Sequence, residues 1–419
     1  MKNTILTFSF LLSSLIVFAQ SSSLTLAQCD SLALKNYPLL RQQELIEKSK
    51  TYTLENASKG YLPQIIISGQ ATYQSDVVAI PITIPGLEIE TPGKDQYKLY
   101  AEITQPLTDL YTVGQQKELY ASNSEIQGQS LQVDLYKLKE RVHQLFFGIL
   151  LVDEQLAQIA IKEKDIESGI TKTNAAITNG TAFKSSADVL KAELLNSKQR
   201  SIELKATRKA YGDMLGLFIN QPLNENTALI RPPVAVVSSV IARPELKLYD
   251  VQRKNYDIQS RLLKTKSFPK FSLFFQSGIG KPAFNPYVNE FQFYYIGGLR
   301  LSWSLSNYYT LRKERDIIGI SQSMVDIQRE TFLFNTNLTI TQKSADITRL
   351  QELINVDNQI VALRTNIKNA AAAQLENGVI TSNDYLREVN AEDQSKQNLL
   401  LHEIQLLIAD YDLQNTSGN

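Results

Sequence analysis

Cysteine and histidine are nearly absent from this chain. Among 419 residues there is one cysteine, Cys29, and there are two histidines, His143 and His402. One thiol cannot close a disulfide within the chain, and so few soft ligands cannot assemble a Cys/His metal site. No metal or other cofactor is expected. Net charge is missing too: 43 basic residues balance 43 acidic ones. Without an excess of positive charge there is no field to draw the chain onto nucleic acid. No phosphate-binding glycine loop, nucleophile elbow or metal-ligand spacing occurs, so nothing points to an enzyme. Beyond the N-terminal segment, no run approaches the ~20 continuous apolar residues of a spanning helix. If the chain enters a membrane, β-strands must take it there.

What is present begins with an export signal. Residues 1–19 read as a secretory signal peptide, with Lys2 as the positive start and a mostly apolar run from Ile5 to Phe18. Val17-Phe18-Ala19 offers small side chains at the two positions a signal peptidase reads, leaving Gln20 first. Ser9, Ser13 and Ser14 make the same run a poor anchor.

The stretch from Leu110 to Asn179 predicts one very long helix. Leu131, Leu135, Leu138, Val142, Leu145, Ile149, Val152, Leu156 and Ile159 recur at alternating steps of four and three, an apolar seam that calls for partner helices. No proline interrupts it, and at ~1.5 Å per residue it makes a rod on the order of 100 Å. A globular core cannot wrap such a rod, so neighbours of similar length are needed.

Ahead of it the period changes from helical to two. Strands are predicted over about 63–74 and 96–106, with Ile65, Ile67, Ala71 and Tyr73, then Tyr97, Leu99, Ala101 and Ile103, on one face. The same layout then recurs. Pro244 and Pro269 stand 206 positions after Pro38 and Pro63, while Leu305 and Asn377-Gly378 stand 198 after Leu107 and Asn179-Gly180. Strands are predicted over about 269–279 and 290–306, and a second long helix carries a seam at Leu353, Val356, Ile360, Leu363, Ile367 and Ala370. The expected organisation is a signal peptide (1–19), a first repeat (20–219), a proline-bearing connector (220–242) and a second repeat (243–419). Each repeat reads helix, strand, strand, long helix, shorter helix.

Four strands cannot close a spanning barrel, which needs eight or more. An open edge in lipid leaves backbone groups unpaired at several kcal/mol each. Two chains supply a barrel filled by its own side chains, and three supply one with a lumen. The polar faces, with Lys98, Glu102 and Arg300, then line a passage, and the apolar faces meet lipid. Tyr73, Tyr97, Phe291, Tyr295 and Trp303 are the expected membrane-interface aromatics. Trp303 in a sheet core is the alternative for that residue. The expected class is α+β: a membrane β-barrel continued by a long α-helical barrel.

At this point the chain resembles the TolC-type outer-membrane efflux and secretion duct family over roughly Leu24 to Leu413. The features that carry this are the duplicated layout, Leu62-Pro63 and Phe268-Pro269 opening strands, Gln105-Pro106-Leu107 before the first long helix, Arg243-Pro244-Glu245-Leu246, and the two Asn-Gly turns. The resemblance implies a homotrimer in outer-membrane lipid with its helical part in the periplasm. It also implies docking to a periplasmic adaptor protein served by an inner-membrane transporter. It places adaptor contacts at the helix tips, Asn179, Gly180, Asn377 and Gly378, and a periplasmic gate at Asp384. The second acidic gate position is Arg387 here, so an acidic constriction is half present. Asp188 is the first-half counterpart of Asp384. Asp384 also suits the first turn of a helix whatever the function. A rival expectation is a periplasmic coiled-coil scaffold that never enters lipid, which leaves the alternating hairpins unexplained.

Overall fold

The computed structural model describes residues 23–79, 81, 91–224, 227–235 and 240–418. The signal peptide expected over 1–19 lies outside them. The described chain is mostly helical with a small antiparallel sheet. Its elements are α1 (Leu26–Asn36), α2 (Gln42–Ser58), β1 (Gln64–Tyr73), β2 (Asp95–Pro106), α3 (Asp109–Thr178), α4 (Lys184–Ile219), α5 (Pro244–Thr265), β3 (Lys270–Lys281), β4 (Gln292–Ser302), α6 (Asn307–Glu376) and α7 (Ser382–Ser417). Helices α3 and α6 are 70 residues each, α4 and α7 36 each. Such lengths are possible because no proline falls inside any of the four. Where proline does occur it acts: a 3-10 turn, Pro38–Arg41, separates α1 from α2. Thr25 opens α1 with a reciprocal capping box to Gln28.

Two compact units result, one from the described residues of 1–37, 137–241 and 338–419, the other from those of 38–136 and 242–337. The first is a helical bundle organised on α3. Of the α3 seam, Leu131, Leu135, Leu138, Val142, Leu145, Ile149, Val152 and Ile159 are buried. Within the first unit, the seam meets Cys29 and Ala33 of α1, Leu215 and Ile219 of α4, and Ile404 and Leu407 of α7. By length and composition α3 holds a stretch that could cross a membrane, which a count of continuous apolar residues overlooks. Phe146, Phe147 and Ile149 of that helix are fully buried, so neighbouring helices stand where lipid would.

The α6 seam is a correction. Val356 and Leu363 are 52% and 63% exposed, and Ile360, Ile367 and Ala370 are exposed as well. The inward face of α6 is instead partly polar. Asp357 bonds His402 at 2.5 Å, Thr365 donates to Glu392 at 2.8 Å, and Lys368 reaches Asp165 of α3 at 2.8 Å and Glu392 of α7 at 3.1 Å. On α3, Lys162 likewise bridges Glu193 of α4 and Asp393 of α7. Buried charges need partners, and the rotation of α6 that pairs them turns its apolar stripe outward.

Of the connector expected over 220–242, the described residues are fastened to the bundle. Leu24 donates to Ala228 O at 3.0 Å and accepts from Ile230 at 2.9 Å, and Arg208 donates to Thr227 O at 2.9 Å. Tyr411 Oη donates to Pro233 O at 3.0 Å.

The second unit carries the sheet. Its strands are antiparallel in the order β1-β2-β3-β4, and among the described residues the outer edges of β1 and β4 pair with nothing. The strand expected over 290–306 is shorter, Gln292–Ser302. The chain leaves it at Trp303, whose indole N–H is donated to Ser267 O at 3.0 Å, so Trp303 sits at the sheet's helical end rather than within a strand or a core. In compensation β3 runs on to Lys281.

Candidate functional site: a two-faced sheet and two helical turns

Alternation along four registered strands sorts the sheet into two chemistries. Ile65 pairs Ile103, which pairs Phe275; Ile67, Ala101, Ser277 and Tyr295 form the next row; Leu99, Ile279 and Phe293 the one after. This face is exposed as well as apolar: Ile67 is 75% and Phe293 69% accessible. From Phe271 to Ile279 it spans eight strand steps, about 27 Å at ~3.4 Å each, close to the ~25 Å apolar band of a membrane barrel.

Aromatics mark both ends of the face. At the loop end Tyr97 lies beside Phe291, ring centroids 6.2 Å apart, with Tyr73 exposed on the same side; Tyr295, expected with them, stands in the middle of the face against Phe275, centroids 6.3 Å apart. At the helical end stand Trp303 and a group that alternation did not find: Tyr111, Phe268, Tyr308 and Tyr309. Tyr111 and Phe268 have centroids 6.5 Å apart, and Tyr308 Oη donates to Ser267 O at 3.3 Å. They sit in turns and helix starts, where no period-two pattern exists to reveal them. Proximity to Pro106 and Pro269 was the available signal.

The opposite face bears Gln64, Ser68, Gln70, Lys98, Glu102, Gln276, Arg300 and Ser302. The structure brings Glu102 and Arg300 together. Arg300 of β4 crosses the whole of β3, passing 4.4 Å from the centre of the Phe274 ring, and donates to Glu102 Oε1 at 2.9 Å. Thr104 Oγ1 donates to the same oxygen at 3.1 Å. Lys98 has no charged partner among the described residues. The pair cancels its own charge.

In the helical unit the two Asn-Gly turns are built alike. Gly180 adopts φ 75° and Gly378 φ 69°, a left-handed conformation that a side chain would strain. Gly180 N–H is donated to Ile177 O and Thr181 N–H to Ala176 O; Gly378 and Val379 repeat both bonds to Leu375 O and Gln374 O. These satisfy the last carbonyls of α3 and α6 and reverse the chain. The following helices start differently. α4 begins after Phe183 with no side-chain cap, whereas Thr381 and Asp384 form a capping box at the head of α7. Hydrogen bonds from the Thr381 hydroxyl and N–H, and then the charge of Arg387, hold the Asp384 carboxyl below its usual range. Arg387 donates to Glu388 at 3.1 Å and makes no bond to Asp384. Asp188 pairs with Lys191 on its own helix at 3.5 Å.

No three His, Cys, Asp or Glu side chains gather to hold a metal among the described residues. The arrangement offers surfaces and charge. A sheet with one lipid-like and one wet face, on a chain with two 70-residue helices, defines an outer-membrane channel type of fold. Solved structures show the same fold. The outer-membrane protein VceC of Vibrio cholerae superposes with a TM-score of 0.67 at 12% identity, over 94% of this chain and 96% of its own. CusC gives 0.68 at 14%, covering 94% and 92%. The open state of the Neisseria gonorrhoeae channel MtrE gives 0.67 at 14%, covering 94% and 89%. No family model and no curated protein matches the chain. It shares the fold of TolC-type outer-membrane channels, which are not enzymes.

Proposed function

We propose that this protein is a passive exit duct of the outer membrane, fed from an inner-membrane transporter through a periplasmic adaptor. One observation carries the reading: a four-stranded sheet, open at both edges among the described residues, exposes an apolar face of membrane height. Such edges would leave backbone groups unsatisfied in lipid, and closure by further copies removes them. Three copies give twelve strands and a lumen lined by the face of Lys98, Glu102 and Arg300. The exposed α6 stripe of Val356, Ile360 and Leu363 supports assembly through the helices as well. In this reading 20–219 and 243–419 are two copies of one layout joined by 220–242, and the helical part stands in the periplasm. The turns at Asn179-Gly180 and Asn377-Gly378 are the adaptor contacts, with Asp384 and Arg387 at the constriction.

The test is to fractionate expressing cells, extract the membrane protein in detergent and reconstitute it in a planar bilayer. A trimer that conducts is expected. A monomer that stays in the soluble periplasmic fraction overturns the reading and favours a coiled-coil scaffold.

A further inference from the structure

The loop end of the sheet is not an open hairpin. β3 stops at Lys281 and β4 starts at Gln292, and the connection between them brings Phe284 back onto Tyr294 of the polar face. Two glycines of β3 stand at this end. Gly278 pairs Tyr100 on one side and Tyr294 on the other, and a Cβ on it would fall 2.5 Å from Tyr100 Cβ. A Cβ on Gly280 would lie 3.2 Å from Pro282 O, the returning backbone. Phe284 sets its ring edge-to-face against Tyr294, with centroids 4.9 Å apart and planes at 72°. Tyr294 is 8% exposed, the one buried residue of β4, while Phe293 and Tyr295 beside it project from the other face. The far end of the connection is tied down, since Gly93 N–H is donated to Asn289 Oδ1 at 3.1 Å.

We infer that the β3–β4 connection is an aromatic lid that narrows the outer mouth of the passage, and that Phe284 seated on Tyr294 sets the size of solute that passes. This rests on the reading above that the polar face lines a conduit. Phe284 itself is 61% exposed, so its ring stands in the solute's way while its edge is held. In a trimer three such rings face one axis, a hydrophobic constriction of the kind that limits conduction by bore and wetting.

Single-channel conductance of the purified protein in planar bilayers tests this. Phe284→Ala should raise it about twofold, Phe284→Trp should not, and Tyr295→Ala, on the lipid-side face, should leave it at the wild-type value. Phe284 is exposed in a loop, so its removal does not threaten folding. Equal conductance of wild type and Phe284→Ala overturns the lid while the duct stands. A wild-type protein that inserts but never conducts overturns the duct, and the lid with it.

Discussion

Single residues divide here by whether their charge is already spent. Glu102 and Arg300 neutralise each other across β3, while Lys98, on the same face, has no charged partner among the described residues. Lys98→Glu is therefore expected to move the zero-current potential in a salt gradient toward cation selectivity, and Lys98→Gln to move it less far. Asp384 is bonded to Thr381 in a helix cap, at the first-turn position expected of it from the sequence. A gate role is a separate property: Asp384→Asn should weaken block of the current by multivalent cations, and unchanged block leaves the cap alone. Cys29 is fully buried, and burial followed by the charge of Asp30 pushes its thiol from 9.0 up to about 11. The thiolate is the reactive form, so the folded protein should resist alkylation at neutral pH and react only after denaturation. Because the folded value lies above the unfolded one, this thiol's contribution to stability is whole below pH 9.0 and declines as pH rises to about 11. Denaturant titrations at pH 8 and 11 compare the two ends.

At the scale of elements, the two kinds of repeat in the sequence had unequal fates. Alternation by two located both hairpins because a strand's faces are set by its own pleat, whatever lies beyond. Its weakness was at strand ends, where Trp303 and Tyr308 are placed by bonds to Ser267 O, 36 and 41 residues away, rather than by a period. The apolar face predicts a sharp asymmetry between adjacent positions. Leu299→Arg puts a charge on the lipid side at a cost of about 2–4 kcal/mol near the midplane, and Gln276→Arg puts it on the wet side at little cost. Outer-membrane yield and heat-modifiable migration should fall for the first and hold for the second. Gly278 is equally constrained by its neighbours: a Cβ there would lie 2.2 Å from the Leu99 carbonyl oxygen, so Gly278→Val should break the β2–β3 pairing that joins the two hairpins.

For the whole molecule, the informative residues are those that the chain alone leaves uncovered. The seam of α3 and the seam of α6 have the same spacing in sequence. One is buried by α1, α4 and α7, and the other is exposed. In the proposed trimer a second copy covers the latter. Ile360→Asp with Leu363→Asp is expected to leave a folded, helical monomer and abolish the trimer, as read by light scattering and circular dichroism. Loss of helix instead of loss of assembly would place that stripe inside the protomer.

Apolar periodicity and the placing of proline and glycine act over a few residues, and so the long helices, the hairpins and the two Asn-Gly turns were determined by sequence alone. Which way α6 faces was decided only in three dimensions, because Asp357, Thr365 and Lys368 find their partners on other helices. The pairing of Arg300 with Glu102 and the folding of Phe284 onto Tyr294 belong to the same class: each joins groups that no local rule relates. A pattern along the chain states what a surface is made of, and the packing of distant segments states what covers it.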